Sequence, residues 1–121
     1  MNKLVFFLLL FTFFSCDSKD CLQVKTGTFL DKTRTTIMTR IKDEETDVCE
    51  KEGLNWVWNI KWINDCEYIQ VLERDQSTSS DHFYKVGDTI QVKILSVGRD
   101  KYSWQATYKR YTLKGCNYIL K

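Results

Sequence analysis

The sequence contains no proline, a single histidine and five isolated glycines, and these shortages exclude several classes of site. Because the only histidine is His82 and no two cysteines have C-x-x-C spacing, we expect neither a zinc site nor a thioredoxin-like redox site. The scattered glycines form no phosphate-binding loop. A net charge of +2 without a long run of like charges gives no reason to expect nucleic-acid binding. The sequence therefore predicts no metal, no cofactor and no nucleic-acid partner.

Two sets of residues suggest catalysis at first sight, and both have a simpler interpretation. His82 follows a polar stretch over residues 74–81 and has no G-x-S-x-G frame near it, which favours a surface histidine over a member of a catalytic triad. Asp43, Glu44 and Glu45 are adjacent acids in a predicted turn, where we expect solvated carboxylates rather than an acid–base pair. The sequence thus predicts a protein that is not an enzyme.

The N-terminal residues have the layout of a bacterial export signal. Lys3 precedes an apolar run over residues 4–14, and Ser15–Cys16 follows it. The run is shorter than the about 20 residues that a membrane-spanning helix needs. Ser15–Cys16 resembles the end of a lipobox, the motif at which bacterial lipoproteins are cleaved and lipidated, although Phe13–Phe14 departs from its commonest form. An ordinary secretory signal is the alternative, and we expect the lipobox.

This layout divides the chain into three parts. We expect residues 1–15 to be a lipoprotein signal peptide, residues 16–21 to be the lipidated Cys16 with a polar tether, and residues 22–121 to be a single β domain. The protein would then be exported and anchored to a bacterial membrane through an acyl chain such as palmitate on Cys16, in the periplasm or at the cell surface. A domain of this size buries limited apolar surface, so crosslinks would add to its stability.

Four cysteines follow Cys16, and in an exported chain they are candidates for disulfides with three possible connectivities. They are Cys21, Cys49, Cys66 and Cys116. We predict a bond between Cys21, at the start of the first predicted strand, and Cys66, at the tip of the central hairpin. This bond would tie the tether to the core, and closing a loop of about 45 residues stabilises the fold by on the order of 4 kcal/mol. A bond between Cys49 and Cys116 follows only by elimination.

The strongest pattern in the chain is an alternation between residues 54 and 72. Trp56, Trp58, Ile60 and Trp62 alternate with more polar neighbours, which is the period of two of a β-strand with one apolar face. A turn at Asn64–Asp65 would lead into a returning strand that begins at Cys66. The pattern therefore predicts a central β-hairpin.

Two registers of this hairpin are possible. A loop with an even number of residues would pair Trp58 with Val71 and Ile60 with Ile69, so that all four form one apolar patch. An odd loop would instead turn Cys66, Tyr68 and Leu72 inward. We expect the even loop.

Short alternating segments continue on both sides of the hairpin, and no segment has a helical period. The first strand is predicted over residues 22–30, and hydrophobic matching pairs Ile94 with Trp104 and Val92 with Ala106 around an odd loop. We expect the last turn at Lys114–Gly115, with Lys109–Arg110 as the alternative. Seven or eight such strands predict an all-β fold, an antiparallel up-and-down meander forming a small lipocalin-like barrel or half-barrel.

Some of these residues resemble a family of small exported lipoproteins of Bacteroidota. The resembling positions lie between residues 21 and 97 and are Cys21, Thr26-Gly27-Thr28-Phe29, Arg40, Trp62, Cys66 and Tyr68. Members of that family often carry a label that names DNA topoisomerase IV, which nothing in this sequence supports, because a topoisomerase is a large intracellular enzyme with a catalytic tyrosine and metal-binding carboxylates. The resemblance implies an exported lipoprotein and no activity.

The tryptophans allow two interpretations that lead to different functions. As candidate ligand-lining residues, Trp56, Trp58, Trp62 and Trp104 would surround a cavity for a small apolar ligand or a glycan. As core residues, the same side chains would fill a small barrel. We expect mainly a core, and hence a non-catalytic cell-envelope lipoprotein with a structural or protein-interaction role. A lipocalin-like binding module is the alternative.

Overall fold

The computed structural model describes residues 20–79 and 81–121 as a closed barrel of eight antiparallel strands. A 3₁₀ segment over Cys21–Val24 precedes the barrel, and a second over Glu50–Glu52 lies between the third and fourth strands. The strands are β1 Gly27–Leu30, β2 Ile37–Ile41, β3 Glu44–Cys49, β4 Leu54–Asn64, β5 Glu67–Asp75, β6 Thr89–Val97, β7 Lys101–Tyr108 and β8 Tyr111–Leu120. Each strand pairs with the next, and β1 pairs with β8. The predicted meander is confirmed, and it closes completely.

The up-and-down order gives the barrel two different ends. The β1–β2, β3–β4, β5–β6 and β7–β8 connections lie together at one end, which we call the mouth end, and the other three lie at the opposite, closed end. The 3₁₀ segment Cys21–Val24 covers the closed end, where Val24 is completely buried. A disulfide fixes this segment to the β4–β5 turn, so the chain enters the barrel domain at its closed end.

That disulfide joins Cys21 to Cys66, as predicted, with a Cα–Cα distance of 5.2 Å. The pairing of Cys49 with Cys116 is wrong, because both thiols are free. Cys49 ends β3 and Cys116 lies in β8, and these strands are not neighbours in the barrel. The elimination argument failed because it assumed that every cysteine of an exported chain is bonded.

The central hairpin forms, but in the register that we did not expect. Trp58 pairs with Leu72, and Trp62 pairs with Tyr68. The turn itself is short, since Asn64 pairs with Glu67, but a β-bulge at Ile63 shifts the pairing by one residue. A shift of one residue exchanges the two faces of a strand, which is why Tyr68 and Leu72 are buried.

Two other boundaries differ from the prediction. Residues 21–24 are a 3₁₀ segment rather than part of the first strand, which begins only at Gly27. The last turn is Lys109–Arg110, with Lys109 in the left-handed region at φ 54°, and not Lys114–Gly115. Gly115 lies inside β8. A Cβ at this position would come within 2.5 Å of the indole of Trp104, which explains why the residue is a glycine. Its role is to admit a large neighbouring side chain.

The β6–β7 pairing is as predicted: Ile94 lies opposite Trp104, and Val92 lies opposite Ala106. Ile94 and Val92 are buried, and they form part of the apolar core with Trp58. Residues 98–100 connect the two strands, and a bulge follows Ile94. Hydrophobic matching therefore identified the inward face of these strands.

The connection between β5 and β6, residues 76–88, is the longest in the barrel domain, and its described residues are fixed to the mouth end. The backbone N–H of Thr78 donates to the carbonyl of Gly53 at 2.9 Å, and that of Gly87 donates to Leu72 at 2.8 Å. Gly53 has φ 63°, and a Cβ there would come within 2.4 Å of the Thr78 hydroxyl. The polar loop expected here exists, and it brings Tyr84 to the mouth of the barrel.

Candidate functional site: the barrel cavity

The interior of the barrel is organised around a buried arginine. Arg40, on β2, is 1 % exposed, and its guanidinium pairs with Glu45 of β3 at an Nη2–Oε1 distance of 2.8 Å. The same group donates to the hydroxyls of Tyr68 and Tyr102 at 3.0 and 3.1 Å and to the carbonyl of Val24. One side chain thereby connects the covering 3₁₀ segment with four strands of the wall.

Aromatic rings complete the surroundings of the guanidinium. The Cζ of Arg40 lies 4.8 Å from the ring centroid of Phe29 and 4.9 Å from that of Tyr68, the range of cation–π contacts. Asn117 donates to the Tyr102 hydroxyl at 3.0 Å. Burial alone would lower the pKa of Arg40, but the charge of Glu45 raises it well above its usual value, so the arginine is a permanent buried cation.

A second carboxyl group, that of Asp47, lies near the ion pair. Asp47 is 9 % exposed, and its Oδ2 accepts a hydrogen bond from the indole N–H of Trp58 at 2.9 Å. Burial, followed by the charge of Glu45, raises the pKa of Asp47 well above its ordinary value. Burial and the neighbouring negative charge of Glu45 thus both disfavour the ionised form of Asp47.

Between this cluster and the mouth end lies a cavity of about 190 Å³, which we call the barrel cavity. Its aromatic lining residues are Trp56, Trp58, Tyr84 and Trp104, in addition to the two tyrosines of the arginine cluster. Its other polar lining residues include Asp31, Arg40, Glu45, Asp47, Gln70 and Asn117. The cavity is therefore lined by aromatic rings together with several polar groups.

Tyr84, from the β5–β6 connection, closes part of the mouth. Its ring contacts the indoles of Trp56 and Trp58 edge to face, each at a centroid distance of 5.5 Å, and contacts Tyr108 at 5.1 Å. Burial, then the charges of Tyr108 and Asp88, raises the pKa of Tyr84, which therefore stays a neutral phenol at neutral pH. The mouth is thus bordered by packed aromatic rings.

Three of the four predicted ligand-lining tryptophans, Trp56, Trp58 and Trp104, border the barrel cavity. Trp62 is not among the residues that border it. It lies towards the closed end, packs against Tyr68 at a centroid distance of 4.7 Å and has Lys25 over its ring at 5.2 Å. Cys16, the predicted lipidation site, lies outside the described residues.

The polar lining of the cavity was not predicted from the sequence. Glu45 was expected among solvated turn acids, yet it is 3 % exposed because β3 begins at Glu44 and turns Glu45 inward towards Arg40. The sequence spacing of these residues is consistent with one inward face. Glu45 and Asp47 are two residues apart on one strand, as are Met38 and Arg40 on the strand beside it. Polar residues at inward positions of two paired strands indicate a buried network.

His82, the residue that any catalytic triad would require, does not line the barrel cavity. Its imidazole packs edge to face on Trp56 at 5.7 Å and is partly buried. Within residues 20–79 and 81–121, no group of three histidine, cysteine or acidic side chains is arranged to bind a metal. The same residues contain no helix of sufficient length and apolarity to cross a membrane.

Comparisons with protein-family models, with curated proteins and with solved structures find no match to this chain. The family resemblance seen in the sequence therefore stays a prediction. Function has to be inferred from the geometry of the barrel itself.

Proposed function

We propose that the barrel is a binding module for a small organic molecule, held at a membrane by a lipid on Cys16. The observation that carries the proposal is the barrel cavity of about 190 Å³, bordered by three indoles and by several polar groups. A fully packed small barrel would leave no such space, since protein interiors have few voids larger than a water molecule. Apolar walls with a few convergent polar groups are the usual composition of ligand sites.

The size of the cavity limits the ligand to a small molecule. A dry cavity of about 150 Å³ is enough to hold benzene. A volume of about 190 Å³ therefore suits a molecule with a single ring or a short branched chain rather than a long lipid or an oligosaccharide. No chemical step is part of this proposal, because the lining offers shape and hydrogen bonds without a nucleophile held by a base.

The direction of the barrel supports the membrane part of the proposal. Cys21 is fixed to the closed end by its disulfide, and Cys16 is only five positions earlier in the chain. Five residues span at most about 18 Å, so a lipid on Cys16 would place the closed end next to the membrane. The mouth end would then face the aqueous compartment, from which a soluble ligand arrives.

Titration with 2-phenylethanol, a neutral single-ring probe, tests the binding function. We expect saturable quenching of tryptophan fluorescence, and we expect it to be lost in Ala106→Leu, which fills the cavity from β7. Thr107→Leu is the control, because it places the same leucine side chain at the next position, which faces the other side of the strand. Absence of saturable binding, or equal binding by Ala106→Leu, would reject the binding module.

A protein-interaction role is the second candidate, and an exposed apolar groove at the mouth end favours it. The groove is bordered by Phe83, Tyr108, Tyr111 and Leu113, and the first, third and fourth are 68 %, 59 % and 60 % exposed. A photo-reactive phenylalanine analogue in place of Leu113 should give one discrete crosslinked partner in cells. The same analogue in place of Leu95, which is also exposed, is the control. Equal labelling from both positions would reject this role.

A further inference from the structure

Acidic residues outnumber basic residues around the barrel cavity. Three acids line it, Asp31, Glu45 and Asp47, and the single base among its described lining residues is Arg40. Arg40 already binds Glu45, through an ion pair with an Nη2–Oε1 distance of 2.8 Å and an Nε–Oε1 hydrogen bond of 2.9 Å. Asp31 and Asp47 consequently remain as acids without a basic partner among the described lining residues.

One carboxyl oxygen of Asp47 has no hydrogen-bond donor among the described residues. Its Oδ2 accepts a hydrogen bond from Trp58. Its Oδ1 receives no hydrogen bond from any donor in the described part of the chain, although Asp47 is only 9 % exposed. A buried carboxylate oxygen without a donor costs free energy, and such atoms are rare in folded proteins. A ligand that donates a hydrogen bond to Oδ1 would relieve this cost.

The walls of the same cavity are suited to a cation. The rings of Trp56, Trp58 and Tyr84 contact one another edge to face, with interplanar angles of 86° for Trp56–Trp58, 66° for Trp56–Tyr84 and 77° for Trp58–Tyr84. Rings arranged in this way present both faces and edges to the enclosed space, and Trp104 borders it from β7. Aromatic faces beside a carboxylate are the usual surroundings of a bound organic ammonium group.

We propose that the ligand of the barrel cavity is a small organic amine bound as its ammonium ion, with N–H groups that donate to Asp47 and Glu45 and an apolar part that lies among the aromatic rings. This inference rests on the proposed binding function and specifies its ligand class. An ammonium N–H would supply the hydrogen bond that the Oδ1 of Asp47 lacks. No covalent bond forms or breaks.

The raised pKa of Asp47 gives the affinity a defined dependence on pH. Glu45, Arg40, Tyr68 and Trp58 interact with Asp47, and Tyr102 and Asp31 also line the cavity. Burial raises the pKa of Tyr68 and of Tyr102, and the pKa of Arg40 is also raised, so none of these three titrates near neutral pH. Affinity for the amine should therefore increase as the pH rises through the raised pKa of Asp47, until the amine itself loses its proton.

Three probes of nearly equal size and different charge test the inference: 2-phenylethylamine, 2-phenylethanol and phenylacetate. Calorimetric titration at neutral pH should give an affinity for the amine at least roughly tenfold above that for the alcohol, with phenylacetate weakest. Asp47→Asn should remove most of the preference for the amine. Asp43→Asn, which changes an exposed acid in the β2–β3 turn, should keep it.

The outcomes separate the two proposals. Equal affinity for amine and alcohol, or tighter binding of phenylacetate, would overturn the amine inference and leave the binding module intact. Absence of binding by all three probes would overturn both. Should Asp47→Asn fail to fold, the wild-type protein still decides: an affinity for the amine no greater than that for the alcohol would overturn the inference.

Discussion

Arg40 and Glu45 form an ion pair inside the barrel in which the side chains are only 1 % and 4 % exposed. They face each other across the β2–β3 pairing, and the guanidinium also holds the hydroxyls of Tyr68 and Tyr102. A buried pair of this kind is costly to desolvate, and its main consequence is that neither partner can be removed alone. The pair is therefore the best point at which to test what fixes the barrel interior.

Replacing Arg40 with methionine should destabilise the protein by about 3–5 kcal/mol, because it leaves Glu45 buried without its counter-ion. Denaturant unfolding measures the loss. Arg74→Met is the matched control, since Arg74 pairs with Glu44 at 3.2 Å on the surface, where both side chains are more than half exposed. It should cost at most about 1 kcal/mol. Equal losses in the two variants would contradict a stabilising role of the buried pair.

Trp58 borders the cavity and is also a core residue, with 1 % exposure. Truncation to alanine should cost about 3–5 kcal/mol, a large part of the total stability of about 5–10 kcal/mol that we expect for a domain of this size. Phe83→Ala, at a side chain that is 68 % exposed, is the control and should change stability by less than about 1 kcal/mol. A denaturation midpoint of Trp58→Ala close to that of the wild type would show that this tryptophan is not part of the core.

The raised pKa of Asp47 predicts how stability varies with pH. Because the folded protein holds this proton more tightly than the unfolded chain, the contribution is complete below the ordinary pKa of 3.8 and is lost as the pH rises through the raised value. Asp47→Asn removes this ionisation, so its melting temperature relative to wild type should increase with pH.

Asp88→Asn is a control in which the pH dependence of stability has the opposite sign, because the pKa of Asp88 is lowered rather than raised. A hydrogen bond from the backbone N–H of Lys85 lowers the pKa of Asp88, so its contribution is present above pH 3.8 and is lost as the pH falls through the lowered value. The difference between this variant and wild type should therefore diminish in acid. A constant difference between Asp47→Asn and wild type from acidic to alkaline pH would contradict the assignment to Asp47.

Membrane attachment depends on Cys16 in the proposed arrangement. Cys16→Ser should move the protein from the membrane fraction to the soluble fraction and should remove the mass of the acyl chains. Cys116→Ser, at a free and partly buried thiol in β8, is the control and should remain in the membrane fraction. Unchanged retention and mass in Cys16→Ser would contradict lipidation.

The sequence predicted the fold well because alternation of apolar residues reports which face of a strand is buried. Ile94 and Trp104 were paired correctly on this basis. The register of the central hairpin was wrong because the bulge at Ile63 inserts one residue without a composition signal, since neither glycine nor proline marks it. Local patterns identify strands better than they identify the irregularities between them.

The site was only partly predictable for a related reason. Tryptophans at alternating positions indicate the barrel interior, so Trp56, Trp58 and Trp104 could be placed around a cavity. Arg40, Glu45 and Asp47 look like surface residues when each is considered alone, and only the β2–β3 pairing shows that they face inward together. Charged residues that face the interior can be identified only when the pairing of the strands is known.

The most direct measurement is a two-dimensional nitrogen–proton NMR titration with 2-phenylethylamine that follows the four indole N–H signals, assigned by single Trp→Phe variants. Binding in the barrel cavity predicts saturable shifts for Trp56, Trp58 and Trp104, which border it, and an unshifted signal for Trp62, which does not. Shifts confined to Trp62, or four signals that remain in place at saturating probe, would contradict a ligand site inside the barrel.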